Sequence, residues 1–168
     1  MAKVIVVEND DILSLEADAY LALAAPYRQW NSLTDRAIKK RYGELYHDQL
    51  VQQVAPGLFN NSGSRVFVKG DASTDHKLIV FVCDKHDKPL ADVLYPAFQT
   101  LHKIGVKSVA MAVLRTDFTL PVETVHEAEV KLMKTLQEFQ EPLEILVVVH
   151  NYTEQANRLR ELIVKNDS

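Results

Sequence analysis

The stretch Lys107-Ser-Val-Ala-Met-Ala-Val-Leu-Arg-Thr-Asp-Phe-Thr-Leu-Pro121 limits the fold more than any other part of the chain. Val109 to Leu114 is an apolar run too short for a helix and suited to a buried central strand. Arg115-Thr116-Asp117 interrupts it. Pro121 then stands where a first helical turn begins, and Val122, Val125, Leu132, Leu136 and Phe139 continue at helical spacing. A buried strand feeding a helix through a tight loop is where open α/β sheets hold their ligands. Unpaired N–H groups and the positive end of the helix dipole favour an anion there. This loop contains no glycine, and Asp117 is expected to cap the helix and take the anion's place itself.

The flanking segments fit one α/β domain over residues 1–168. Lys3–Glu8 reads as a strand, broken by Asn9-Asp10-Asp11. Period alone leaves Asp18–Ala24 open to strand or helix; its brevity and Pro26 favour strand. Ser32-Leu-Thr-Asp35 has the form of a capping box and predicts a helix to about Val54, with Ile38, Tyr42, Leu45 and Leu50 inward. Arg36, Lys39, Lys40 and Arg41 then face mostly outward, as a solvated face that could otherwise recruit phosphate. Arg65–Lys69 and Leu78–Cys83 are two strands, joined as a hairpin or through a longer excursion. Leu90 to Ile104 keeps helical spacing up to Gly105, with Pro96 predicting a kink or a start at Tyr95. Leu143–Val149 is another apolar strand, and Tyr152–Val164 a closing helix.

With 168 residues, a quarter of them charged and a net charge of −4, the chain is not suited to broad electrostatic capture of nucleic acid. No apolar run approaches membrane-spanning length, and Met1–Glu8 lacks the cleavage site of a secretory signal. Cys83 is the single cysteine. The expectation is a soluble, cytoplasmic protein with no membrane or nucleic-acid partner.

In order and spacing these pieces resemble the macro domain, a family best known for binding ADP-ribose. Lys3-Val-Ile-Val-Val-Glu-Asn-Asp-Asp-Ile12 is similar to the family's opening strand and Gly-Asp-Ile turn. Ala17-Asp-Ala-Tyr-Leu21 resembles its Val-Asp-Ala-Ile-Val. Gly63–Gly70 followed by Lys77–Val82 matches a strand, turn and strand, and Ile104–Ala110 resembles the run entering the central strand. The resemblance implies a three-layer α/β/α sandwich with a mixed, mostly parallel sheet.

The departures fall on the family's functional positions. Members that remove ADP-ribose carry Asn-Ala-Ala-Asn after the second strand, then a glycine-rich loop. Here stand Ala22-Leu-Ala-Ala25 and the glycine-free Pro26–Leu33. The second phosphate loop is reduced to Arg115–Thr119. Asp11 remains at the position whose carboxylate receives the adenine amine, although a turn aspartate also caps local N–H groups.

The candidate ligand-binding residues are therefore Asp11, Ile12, Arg115, Thr116, Asp117, Phe118, His150 and Tyr152. Arg115 is expected either to meet an anion or to pair with Asp117. Phe118 and Tyr152 offer rings for stacking, with core packing the alternative for Phe118. No residue is assigned as catalytic and no metal site or cofactor is expected. Cys83-Asp-Lys-His86 has ligand-like spacing without a second pair, and His126 and His150 are isolated histidines on the ligand side.

These readings imply a non-catalytic macro-type module that weakly binds a nucleotide-like small molecule, ADP-ribose or related, or an ADP-ribosylated protein partner. The alternatives are an interaction subunit with its cleft filled by Tyr27, Trp30 and Phe118, and a hydrolase working through His126 or His150.

Overall fold

The computed structural model describes residues 1–24, 32–53, 57–116 and 121–163. Six strands, β1 (Lys3–Glu8), β2 (Ala19–Leu23), β3 (Arg65–Lys69), β4 (Leu78–Val82), β5 (Ser108–Ala112) and β6 (Glu144–Val149), form one sheet in the order β1-β6-β5-β2-β4-β3. Every neighbouring pair is parallel except β3 with β4 at the edge. The segment Asp18–Ala24 is thus resolved as strand, and the β3–β4 pair as an antiparallel hairpin whose connection holds a 3-10 turn at Ala72–Thr74.

Both faces of the sheet are covered, which explains the nearly continuous apolar sequence of β4 and β6. Tyr20, Ala22, Ile79, Phe81, Ala110, Leu146 and Val148 pack against Ile38 of α1 (Leu33–Tyr42) and Tyr46 and Leu50 of α2 (Leu45–Gln53). Their neighbours in each strand point the other way, so Leu21, Val80, Val82, Met111, Ile145 and Val147 meet α3 (Leu90–Lys103), α4 (Val122–Glu138) and α5 (Thr153–Glu161). The result is an α/β/α sandwich with a mixed, mostly parallel sheet.

The expected single helix from Ser32 to about Val54 is instead two helices. Gly43, at φ +65°, closes α1 by donating its N–H to the Lys39 carbonyl, and the chain turns before α2 begins. The Ser32 cap is present: its Oγ accepts from the Asp35 N–H at 3.1 Å. The Asp35 carboxylate, however, accepts from the Ser32 hydroxyl rather than from the cap's N–H, and its other oxygen faces His47 Nε2 at 3.4 Å.

Of the two outcomes expected at Pro96, the start at Tyr95 is not the one taken, since α3 begins at Leu90. α3 runs unbroken from Leu90, with Pro96 inside it and Thr100 Oγ1 donating to the Pro96 carbonyl at 3.0 Å. Gly105 and Val106 donate to the carbonyls of His102 and Leu101, so α3 ends in a Schellman motif, as the position of Gly105 suggests. Pro121 is the residue preceding α4 rather than its first turn. No helix among the described residues is long and apolar enough to cross a membrane.

Candidate ligand cleft

The turn after β1, the ends of β5 and β6, one face of α1 along its length and the N-terminal parts of α4 and α5 line two adjoining cavities. One has a volume of about 710 Å³ and lies toward α4 and α5. The other, of about 430 Å³, lies toward α1. They share Leu33, Ala112, Val148 and His150. The position follows from chain direction: parallel strands deliver their carboxyl ends, and the loops that follow them, to one edge of the sheet.

Asp11 and Ile12 line the smaller cavity, Thr116 and Tyr152 the larger, and His150 both. Asp11 caps the 3-10 turn Ile12–Ser14, accepting from the Leu13 N–H at 3.1 Å through Oδ1. Its Oδ2 receives Arg41 Nη2 at 2.5 Å, while Arg41 Nη1 donates to the Leu13 carbonyl at 2.9 Å. The local capping role of Asp11 is therefore filled, and its second oxygen is held by an arginine from α1. Tyr152 stands just ahead of α5 with its ring 5.8 Å from the Arg158 guanidinium carbon.

Arg115 lies outside both cavity walls. Arg115 pairs with Asp84, while the expected pairing with Asp117 lies outside the described residues. Arg115 Nε and Nη2 donate to the Asp84 carboxylate at 2.9 and 2.7 Å, and Nη2 also reaches the Lys88 carbonyl at 2.6 Å. Asp84 has a side chain 1% exposed, so this fork ties the loop after β4 to the loop after β5. Asp117 and Phe118 lie outside the described residues, as do the helix-capping role expected of Asp117 and the expected cleft fillers Tyr27 and Trp30.

Cys83 is buried at the end of β4, its Sγ 3.2 Å from the Phe59 carbonyl, and burial pushes its thiol pKa up. His86 is exposed and lies 3.6 Å from Asp84. No group of metal-ligating side chains converges among the described residues.

The larger cavity also contains residues that sequence reasoning missed. Glu129 of α4 is fully buried at its wall. Arg158 donates to it twice at 3.0 Å, Gln155 once at 3.0 Å, and His126 Nδ1 lies 3.8 Å away. Burial by itself raises the Glu129 pKa, but the Arg158 and Gln155 bonds outweigh it and hold the carboxyl below its ordinary value. The available signal was position: Glu129 falls on the same stripe as Val125, Leu132 and Leu136, where a carboxylate must find a partner.

No protein-family model matches the sequence, and neither does any curated protein. Solved structures do match. The Oceanobacillus iheyensis macrodomain with MES bound superposes with a TM-score of 0.69 at 16% identity, over 95% of this chain and 89% of that one. The macrodomain of Thermus aquaticus DarG gives 0.62 at 14% identity, over 89% and 99%. Alphavirus P23pro-zbd gives 0.64 at 15% identity over 96% of this chain, which spans only 23% of that protein's length. The Oceanobacillus macrodomain also has structures with ADP and, as a mutant, with ADPR. At these identities the likeness is one of fold, and it extends over nearly the whole chain: this protein has the macrodomain fold.

Proposed function

We propose that the protein is a non-catalytic macro-type module that weakly binds a nucleotide-like ligand of the ADP-ribose class, free or attached to a protein. The observation that carries this reading is the paired cavity at the carboxyl ends of β1, β5 and β6, with Asp11, Ile12, His150 and Tyr152 on its walls. The ADP and ADPR seen with the Oceanobacillus macrodomain support the ligand class.

Weak binding follows from the state of the polar groups. Asp11 already receives the Leu13 N–H and Arg41, so a base amine must compete with a charge-assisted bond. The non-catalytic part of the reading rests on the resemblance, in which Ala22 stands where members that remove ADP-ribose carry the first asparagine of their motif; Ala22 itself is buried in β2 and lines neither cavity.

Calorimetric titration with ADP-ribose, ADP and AMP tests the reading. The expected result is one site with Kd between about 10 μM and 1 mM, mutual competition, and about tenfold weaker binding for Tyr152→Ala through loss of a stacking face. Absence of binding by all three would overturn it in favour of an interaction subunit.

A further inference from the structure

We infer that the smaller cavity contains an anion subsite, built by Arg36 and Lys40 of α1, that accepts a phosphomonoester group. This goes beyond the nucleotide reading and stands on different residues. The basic run of α1 divides in three. Lys39 faces Glu44 at 3.9 Å and lies off the cavity wall. Arg41 is held by Asp11 and the Leu13 carbonyl. Arg36 and Lys40 line the cavity, one helical turn apart, and neither has an ion-pair or side-chain hydrogen-bond partner among the described residues.

Two like charges at i and i+4 repel each other, which works against the favourable position of Lys40 in the last turn of α1 and gives Arg36 no role in the helix. They also gather in a chain of net charge −4. Facing them are Asp10, which opposes an anion, and Asp11, whose charge Arg41 offsets. The three cations outnumber the two carboxylates on this wall. Leu33, Ala37, Ala112 and Val148 complete it with apolar surface.

A planar guanidinium fork beside an ammonium point charge suits the oxygens of a phosphate dianion, and the apolar wall suits the sugar or base that carries it. ADP-ribose has only the two bridged phosphates of its diphosphate and offers no phosphomonoester. With Asp11, the candidate base contact, in the same cavity, the ligand class that satisfies this wall is a nucleotide bearing a further phosphate on the ribose that carries its base.

Titration of ADP-ribose, ADP-ribose 2′-phosphate and inorganic pyrophosphate against wild type, Arg36→Gln/Lys40→Gln and Lys39→Gln tests the inference. Both substituted residues of the double variant are exposed, and urea unfolding verifies that it folds. At about 50 mM salt the 2′-phosphate is expected to bind about tenfold tighter than ADP-ribose, and the preference to shrink by about 200 mM. The double variant should lose the preference and Lys39→Gln keep it. Equal affinity of the two nucleotides, or a preference that survives in the double variant, overturns the subsite and leaves the nucleotide reading standing. Pyrophosphate binding that vanishes in the double variant, with ADP-ribose unbound by wild type, supports the subsite and overturns the nucleotide reading. Pyrophosphate binding equally to both forms, with no nucleotide preference, overturns the subsite.

Discussion

Glu129 and Arg158 join α4 to α5 through two hydrogen bonds of 3.0 Å, with the carboxylate fully buried and the guanidinium at the edge of the cleft. Removing the arginine strands a buried charge, whereas removing the charge does not. Arg158→Leu should therefore destabilise the fold by about 3 kcal/mol and Glu129→Gln by about 1–2 kcal/mol. Urea unfolding of the two variants measures the difference, and a costlier Glu129→Gln would contradict the asymmetry.

The same pair fixes a pH dependence. Glu129 has a folded-state pKa below its ordinary value of 4.5. Its contribution is complete above 4.5 and is lost as pH falls through the lower folded-state value. The unfolding free energy of wild type should therefore drop more steeply between about pH 5 and pH 3 than that of Glu129→Gln. Parallel curves would show that the pair carries no linkage.

Gly70 should not tolerate a side chain. A Cβ there would lie 1.9 Å from Thr74 Oγ1 and 2.3 Å from the Tyr46 hydroxyl. Neither is free to retreat: Thr74 Oγ1 is bonded to the Asp71 backbone at 2.7 and 2.9 Å, and Tyr46 donates to the Lys77 carbonyl at 2.6 Å. Gly70→Ala is expected to cost about 2–3 kcal/mol in urea unfolding.

The Cys83 thiol, 1% exposed and with its pKa raised by burial, should react slowly with a thiol reagent in the native protein and rapidly in denaturant. Native-state labelling as fast as that of free cysteine would show that β4 opens far more readily than its packing indicates.

An ADP-ribosylated protein or O-acetyl-ADP-ribose should survive prolonged incubation with the chain, because Ala22 stands where the members that remove ADP-ribose, which this sequence resembles, carry an asparagine. Sustained turnover, lost on His126→Ala or His150→Ala, would transfer the function to the hydrolase class.

The strands and their order were readable because a sheet covered on both faces leaves a strong imprint: short apolar runs at β4, β5 and β6, each bounded by turn or polar residues. The same local information placed the Ser32 cap and the end of α3 at Gly105. It failed at Gly43, where a helical pattern continues across a residue at positive φ, and it left the start of α3 open between Leu90 and Tyr95, which the structure places at Leu90.

The cleft divides in the same way. Sequence placed Asp11, Ile12, His150 and Tyr152 beside it, because the carboxyl ends of parallel strands must face one edge. Only the tertiary structure decided which charges meet: Arg115 with Asp84, Arg41 with Asp11, Arg158 with Glu129, at sequence separations of 31, 30 and 29 residues. Periodicity reports which face of an element is buried. A salt bridge depends on how two such elements are docked, and this is fixed by packing across the whole sheet.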